Sequence, residues 1–69
     1  MKKTLLIEGM MCQHCVAHVT KALQGVQGVT SVDVNLKRKT AVIELSEEVA
    51  NETLTVAIAE AGYEVKKIS

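Results

Sequence analysis

Hydrophobic and polar residues alternate in four short stretches of the chain, and apolar residues recur at helical spacing in two others. Residues 3–8 read as a strand, with Leu5 and Ile7 facing one way and Thr4, Leu6 and Glu8 the other. Leu6 is then an apolar residue on the polar face. Gly9 breaks the period, and residues 9–14 read as a loop. Over residues 14–25, Val16, Val19, Leu23 and Val26 form one helical stripe with Ala22 beside it. Cys15 falls at the edge of that stripe and His18 further round its flank. Gly25 and Gly28 bracket the helix exit.

Residues 30–36 alternate again, with Val32, Val34 and Leu36 inward. The charged connection Lys37-Arg38-Lys39 leads into residues 40–45, where Ala41, Ile43 and Leu45 face in. The two strands read as an antiparallel hairpin, although the turn has no Asn-Gly or Asp-Gly pair. Residues 46–50 read as a loop. Asn51 is placed as the N-cap of a second helix, with Glu52 in its first turn. Leu54, Ala57, Ile58 and Ala61 make the inward face of that helix, Val56 points off it, and Gly62 closes it. Residues 63–68 form a last strand, with Tyr63, Val65 and Lys67 on one side.

The order is βαββαβ. Right-handed crossovers in each half give a four-stranded antiparallel sheet with both helices on one face, the α+β ferredoxin-like sandwich. Sixty-nine residues make a single domain, residues 1–69. A core of this size stabilises by only about 3–5 kcal/mol.

Charge narrows the function. Eight basic and eight acidic residues give zero net charge, which speaks against a nucleic-acid binder. A single Tyr, with no Phe or Trp, leaves nothing on which bases could stack. The apolar run near the start, Leu5 to Ile7, falls short of the roughly 7–15 residues of an export signal. No stretch approaches the roughly 18 apolar residues of a membrane span. The expectation is a cytoplasmic protein, not inserted in a membrane, with reduced thiols. Two cysteines are too few for a disulfide framework.

Chemistry concentrates in Gly9-Met10-Met11-Cys12-Gln13-His14-Cys15. Two cysteines three apart can place both sulfurs on one metal or close a tight disulfide. The pair stands where a loop enters a helix, and the unpaired N–H groups there favour thiolates. Cys12 belongs to the loop and Cys15 to the first turn. Three chemistries compete. A soft monovalent metal such as Cu(I) needs only two thiolates. Thiol–disulfide exchange is the enzyme reading, against which stand the short chain and the absence of any proline. Structural zinc wants four ligands, and His18, one turn after Cys15, is a better third donor than His14. His14 reads as a solvent-facing loop residue that tunes the thiolates, and Met10 as core filler.

The string Gly-Met-x-Cys-x-x-Cys, placed between a first strand and a helix and followed by Gly62-Tyr63-Glu64-Val65, resembles the heavy-metal-associated domain. The resemblance runs from about Lys3 to Ile68. More narrowly, the chain is similar to free-standing bacterial cytoplasmic copper chaperones. It implies Cu(I) held by Cys12 and Cys15, with no catalysis. Met10 would pack beneath the loop without ligating, and Tyr63 would approach the loop. In this family the residue before the first cysteine is usually Thr or Ser. Met11 stands there instead, which removes a hydroxyl able to cap the helix and offers a thioether. The implied partner is the metal-binding domain of a copper-transporting P-type ATPase or a copper-responsive repressor. Lys2, Lys21 and Lys66 are candidate steering charges. The resemblance also leaves Zn, Cd, Hg and Ag as alternative cargoes. Zinc-selective relatives tend to add a carboxylate, and Glu8 is the nearest acid. The expected apo form is a monomer, and shared copper could bridge two loaded chains into a dimer.

Overall fold

Alternation along the strands produces a sheet with one apolar face, and two amphipathic helices cover it. In the computed structural model, which describes residues 1–69, β1 spans Lys2–Glu8, α1 Gln13–Gln24, β2 Val29–Asn35, β3 Thr40–Leu45, α2 Asn51–Glu60 and β4 Glu64–Ile68. The strand order is β2-β3-β1-β4, and every neighbouring pair is antiparallel. The two helices touch each other, so both lie on the same side of the sheet. This is the expected βαββαβ sandwich.

The central strands carry the core. Leu5 and Ile7 of β1 and Ala41, Ile43 and Leu45 of β3 are buried, facing Val19 and Leu23 of α1 and Leu54 and Ile58 of α2. Met10 and Val49 complete the core from two loops. The edge strands, covered from one side only, contribute half-buried residues: Val32 and Val34 from β2, Val65 and Ile68 from β4. Leu36 lies past the end of β2 and still packs on the core. Leu6 is exposed on the uncovered face, as its place in the alternation requires.

Two details depart from the sequence reading, and a third explains how the expected hairpin closes. The last strand does not keep Lys67 inward. Leu6 pairs with Lys67 and Ile7 with Val65, so Lys66 bulges out of register. A bulge resets the alternation, and Ile68 takes the inward place while Lys66 and Lys67 stay exposed. The N-cap of α2 is Ala50 and not Asn51. The Asn51 side chain is engaged elsewhere, its oxygen accepting from Lys3 Nζ, which also donates to the Val49 carbonyl at 2.8 Å. The hairpin closes without glycine because the Arg38 N–H donates to the Asn35 side chain at 3.0 Å, and Lys39 adopts a left-handed φ of 59°.

Burial separates two neighbouring valine- and leucine-sized positions on α2. Leu54 is fully buried, whereas Val56 is 55% exposed at the rim of the shallow groove between the helices. Leu54→Ala should cost about 2–5 kcal/mol, enough to populate the unfolded state of so small a chain. Val56→Ser should change stability by less than about 0.5 kcal/mol. Urea denaturation followed by circular dichroism measures both, and similar losses at the two positions would contradict the packing described.

Candidate metal centre

The loop between β1 and α1 is pinned from below and bare on top. Met10 is 3% exposed and Met11 86% exposed. One methionine is thus inserted in the core, as expected, and the next projects into solvent. Gly9 turns the chain with a φ of +103°, a conformation that L side chains rarely adopt. A Cβ at Gly9 would lie 3.3 Å from Cδ1 of Tyr63, so the missing side chain also makes room for the tyrosine ring.

Cys12 is the N-cap of α1, with extended backbone, and its thiol caps nothing. Its carbonyl accepts from the N–H groups of Cys15 at 3.0 Å and Val16 at 3.2 Å. Met11 therefore precedes the cap, and no side chain occupies the capping role. Cys15 sits in the first turn, half-buried, while Cys12 is exposed. Both are free thiols with sulfurs 3.8 Å apart. The first turn of α1 contains no acidic residue to oppose a thiolate at the positive helix end.

Tyr63 reaches this loop because of how α2 ends. The Tyr63 N–H donates to the Ile58 carbonyl at 3.1 Å and the Gly62 N–H to the Ala59 carbonyl at 3.0 Å, with Gly62 at a φ of +96°. This pair of bonds is the Schellman ending, which reverses the chain at a left-handed glycine. It sends the tyrosine back across the sheet edge to Gly9 and Cys15.

The electrostatic result is an acidic thiol. Cys15 is lowered from 9.0 to about 7, first by the Met11 backbone N–H and next by the Tyr63 hydroxyl, with smaller help from Cys12 against the cost of desolvation. The phenol shifts the opposite way. Its pKa is raised because its proton is held by Cys15, with desolvation and the negative thiol pair adding to the effect. The Tyr63 hydroxyl also lies 3.3 Å from Nδ1 of His18.

The other candidates fall outside the cluster. His14 is exposed and bonds to neither thiol. Glu8 is held at 3.4 Å by Lys66, which also grips Glu64, the cross-strand partner of Glu8, at 2.8 Å. Lys66 therefore answers two carboxylates beside the loop and is not a free steering charge. No three His, Cys, Asp or Glu side chains come close enough to hold one ion. Four-coordinate zinc within one chain has no site here. Sequence reasoning placed His18 on an exposed flank and missed its contact with Tyr63. The i, i+3 spacing from Cys15 was the available signal, but where the turn after α2 places Tyr63 was not.

The sequence matches the heavy-metal-associated domain over residues 4–64. The chain belongs to that family. Copper chaperone CopZ of Enterococcus hirae is 38% identical over 69 residues, which cover 99% of this chain and all of that protein. The mercuric transport protein periplasmic component of Shigella flexneri is 43% identical over 61 residues, covering 87% of this chain and 67% of that one. Among solved structures, a copper binding domain from HMA7, a P-type ATPase, superposes with a TM-score of 0.89 at 31% identity, over 100% of this chain and 95% of that one. Members of this family thus occur both as free-standing chains and as domains of transporters. No helix here is long and apolar enough to cross a membrane.

Alkylation by iodoacetamide tests the thiol chemistry, because only the thiolate reacts. The Cys15 rate should rise with pH and reach half its maximum near about 7. Tyr63→Phe removes a donor to the thiolate and should move that midpoint upward. A Cys15 midpoint near the ordinary 9.0 in the unaltered protein would contradict the arrangement.

Proposed function

We propose that this protein is a cytoplasmic copper carrier that holds Cu(I) between Cys12 and Cys15 and passes it to a partner by ligand exchange. The observation that carries the reading is the thiol pair itself: two free sulfurs 3.8 Å apart, at a helix start, with no third His, Cys, Asp or Glu close enough to share an ion. That donor set suits a soft monovalent ion, which is satisfied by two thiolates, and leaves zinc under-coordinated. The similarity to copper chaperones along the whole chain supports the same choice.

Met10 supports the loop from the core without reaching the ion. Tyr63 shields the Cys15 side, and His14 stays in solvent near the pair. Met11 stands off the site, its thioether exposed. Transfer needs no catalysis. Cys12 is exposed, so a thiolate from a partner's similar motif can add to the ion beside it. A three-coordinate bridge forms, one of the original thiolates leaves, and the ion changes hosts without being released. The partner is the metal-binding domain of a copper-transporting P-type ATPase or a copper-responsive repressor. The apo protein is a monomer, and an ion shared by two loops would join loaded chains into a dimer. The family's mercury-handling members make Hg(II) the competing cargo, since it too accepts two thiolates.

An anaerobic titration of the reduced protein against a competing Cu(I) chelator, with Zn(II) and Hg(II) in parallel, tests the proposal. One Cu(I) per chain should bind far more tightly than Zn(II). Cys12→Ser or Cys15→Ser should abolish tight binding and leave the circular dichroism spectrum unchanged, because Cys12 is exposed and Cys15 only packs half-buried against the edge of the core. Unaltered affinity in either variant, or a preference for Zn(II), would overturn the assignment.

A further inference from the structure

We propose that Lys66 is a positioning residue for the metal loop, its ammonium holding together the two strand ends from which the loop and Tyr63 leave. The consequence for metal rests on the carrier reading above, but the contact itself needs no metal. β1 ends at Glu8 and β4 begins at Glu64, and these two residues face each other as the last pair of their ladder. Gly9 follows Glu8 and opens the loop, while Tyr63 immediately precedes Glu64. A Cβ at Gly9 would lie 3.3 Å from Cδ1 of Tyr63, so the ring rests against the loop entry just where the ladder stops.

Two carboxylates close this ladder, and like charges directly opposite on neighbouring strands weaken a sheet. Lys66 answers both, at 3.4 Å to Glu8 and 2.8 Å to Glu64. The bulge in β4 frees it for this task. Leu6 faces Lys67 and Ile7 faces Val65, so Lys66 has no partner of its own on β1. Bulges re-aim side chains, and here the extra residue stays exposed, within reach of both acids. The same pairing holds the Glu64 carboxyl below its usual range and the Lys66 ammonium above its own, each chiefly through its hydrogen bond to the other. Lys39 borders the same shallow depression but pairs with neither carboxylate. Exposed ion pairs stabilise little by themselves. What matters is the state left without the lysine: two facing carboxylates with no charge between them, at the point from which the loop hangs. Their separation draws Gly9 away from the ring and loosens the loop on its strand side, while Met10 still anchors it in the core.

Tyr63 is the only aromatic residue, so acrylamide quenching of its fluorescence reads the exposure of the ring. In the reduced, metal-free protein, Lys66→Gln should raise the quenching constant and remove the nuclear Overhauser contact between the Gly9 α protons and the Tyr63 ring. Lys66→Arg, which can bridge both acids, should keep both signals. Adding Glu8→Gln to Lys66→Gln should restore them although no lysine is present, because the facing charges are gone. Lys39→Gln should change nothing. An unchanged ring contact in Lys66→Gln, a loss that Glu8→Gln does not reverse, or the same loss in Lys39→Gln overturns the proposal. In the loaded protein, Cu(I) should pass to an excess of a competing chelator about two- to fivefold faster in Lys66→Gln, the scale of one exposed charge interaction, and at the original rate in the double variant. A ring contact that responds as described while copper passes at one rate in all variants overturns the link from the strand ends to the metal. A protein whose ring contact responds but which takes up no Cu(I) overturns the carrier reading and leaves the contact standing.

Discussion

Burial of Met10 is the constraint on which the site depends. A loop that exposes thiols to solvent has little to hold it in shape, because its own surface is what must stay bare. Here one side chain of the loop is driven into the core while its neighbour Met11 is left almost wholly in water. The backbone between them is thereby fixed against the start of α1. The Met11 N–H can then point at the Cys15 sulfur, the largest single influence on that thiol. Methionine suits the position because its flexible chain fills an irregular gap between sheet and helix without demanding a polar partner.

Everything that makes Cys15 acidic is neutral. The Met11 backbone amide, the Tyr63 phenol, and the side chain and backbone of Cys12 lower its pKa, and no lysine or arginine is among the causes. This arrangement leaves the pair free of a fixed countercharge. Lys66 is occupied by Glu8 of the neighbouring strand and by Glu64 of its own. The acidity of Cys15 is thus set by groups without net charge, and the chain remains neutral overall.

Much of the fold was legible in the sequence because each strand alternates and each helix keeps its stripe. Leu5, Ile7, Ala41, Ile43, Val19, Leu23, Leu54 and Ile58 all face the core as their spacing demands. The departures are places where a tertiary contact overrides a local rule. Asn51 is a good capping residue, but Lys3, distant in sequence, claims its side chain. Lys67 keeps period with Val65 until a bulge at Lys66 displaces it. The thiol pair was legible from spacing and from the helix it opens. The Tyr63 contact was expected only through family resemblance, and the link from His18 was hidden altogether. Both depend on where the Gly62 turn after α2 delivers Tyr63, which no local pattern records.

The central claim is that two thiolates alone hold the proposed Cu(I), on a loop where no third His, Cys, Asp or Glu side chain comes close enough to share it. X-ray absorption at the copper edge of the Cu(I)-loaded, monomeric protein tests it most directly. The account predicts a first shell of two sulfur scatterers, lost together with copper binding when Cys12 and Cys15 are both replaced by serine. A nitrogen scatterer from an imidazole, or a third sulfur that disappears in Met11→Leu, would contradict it.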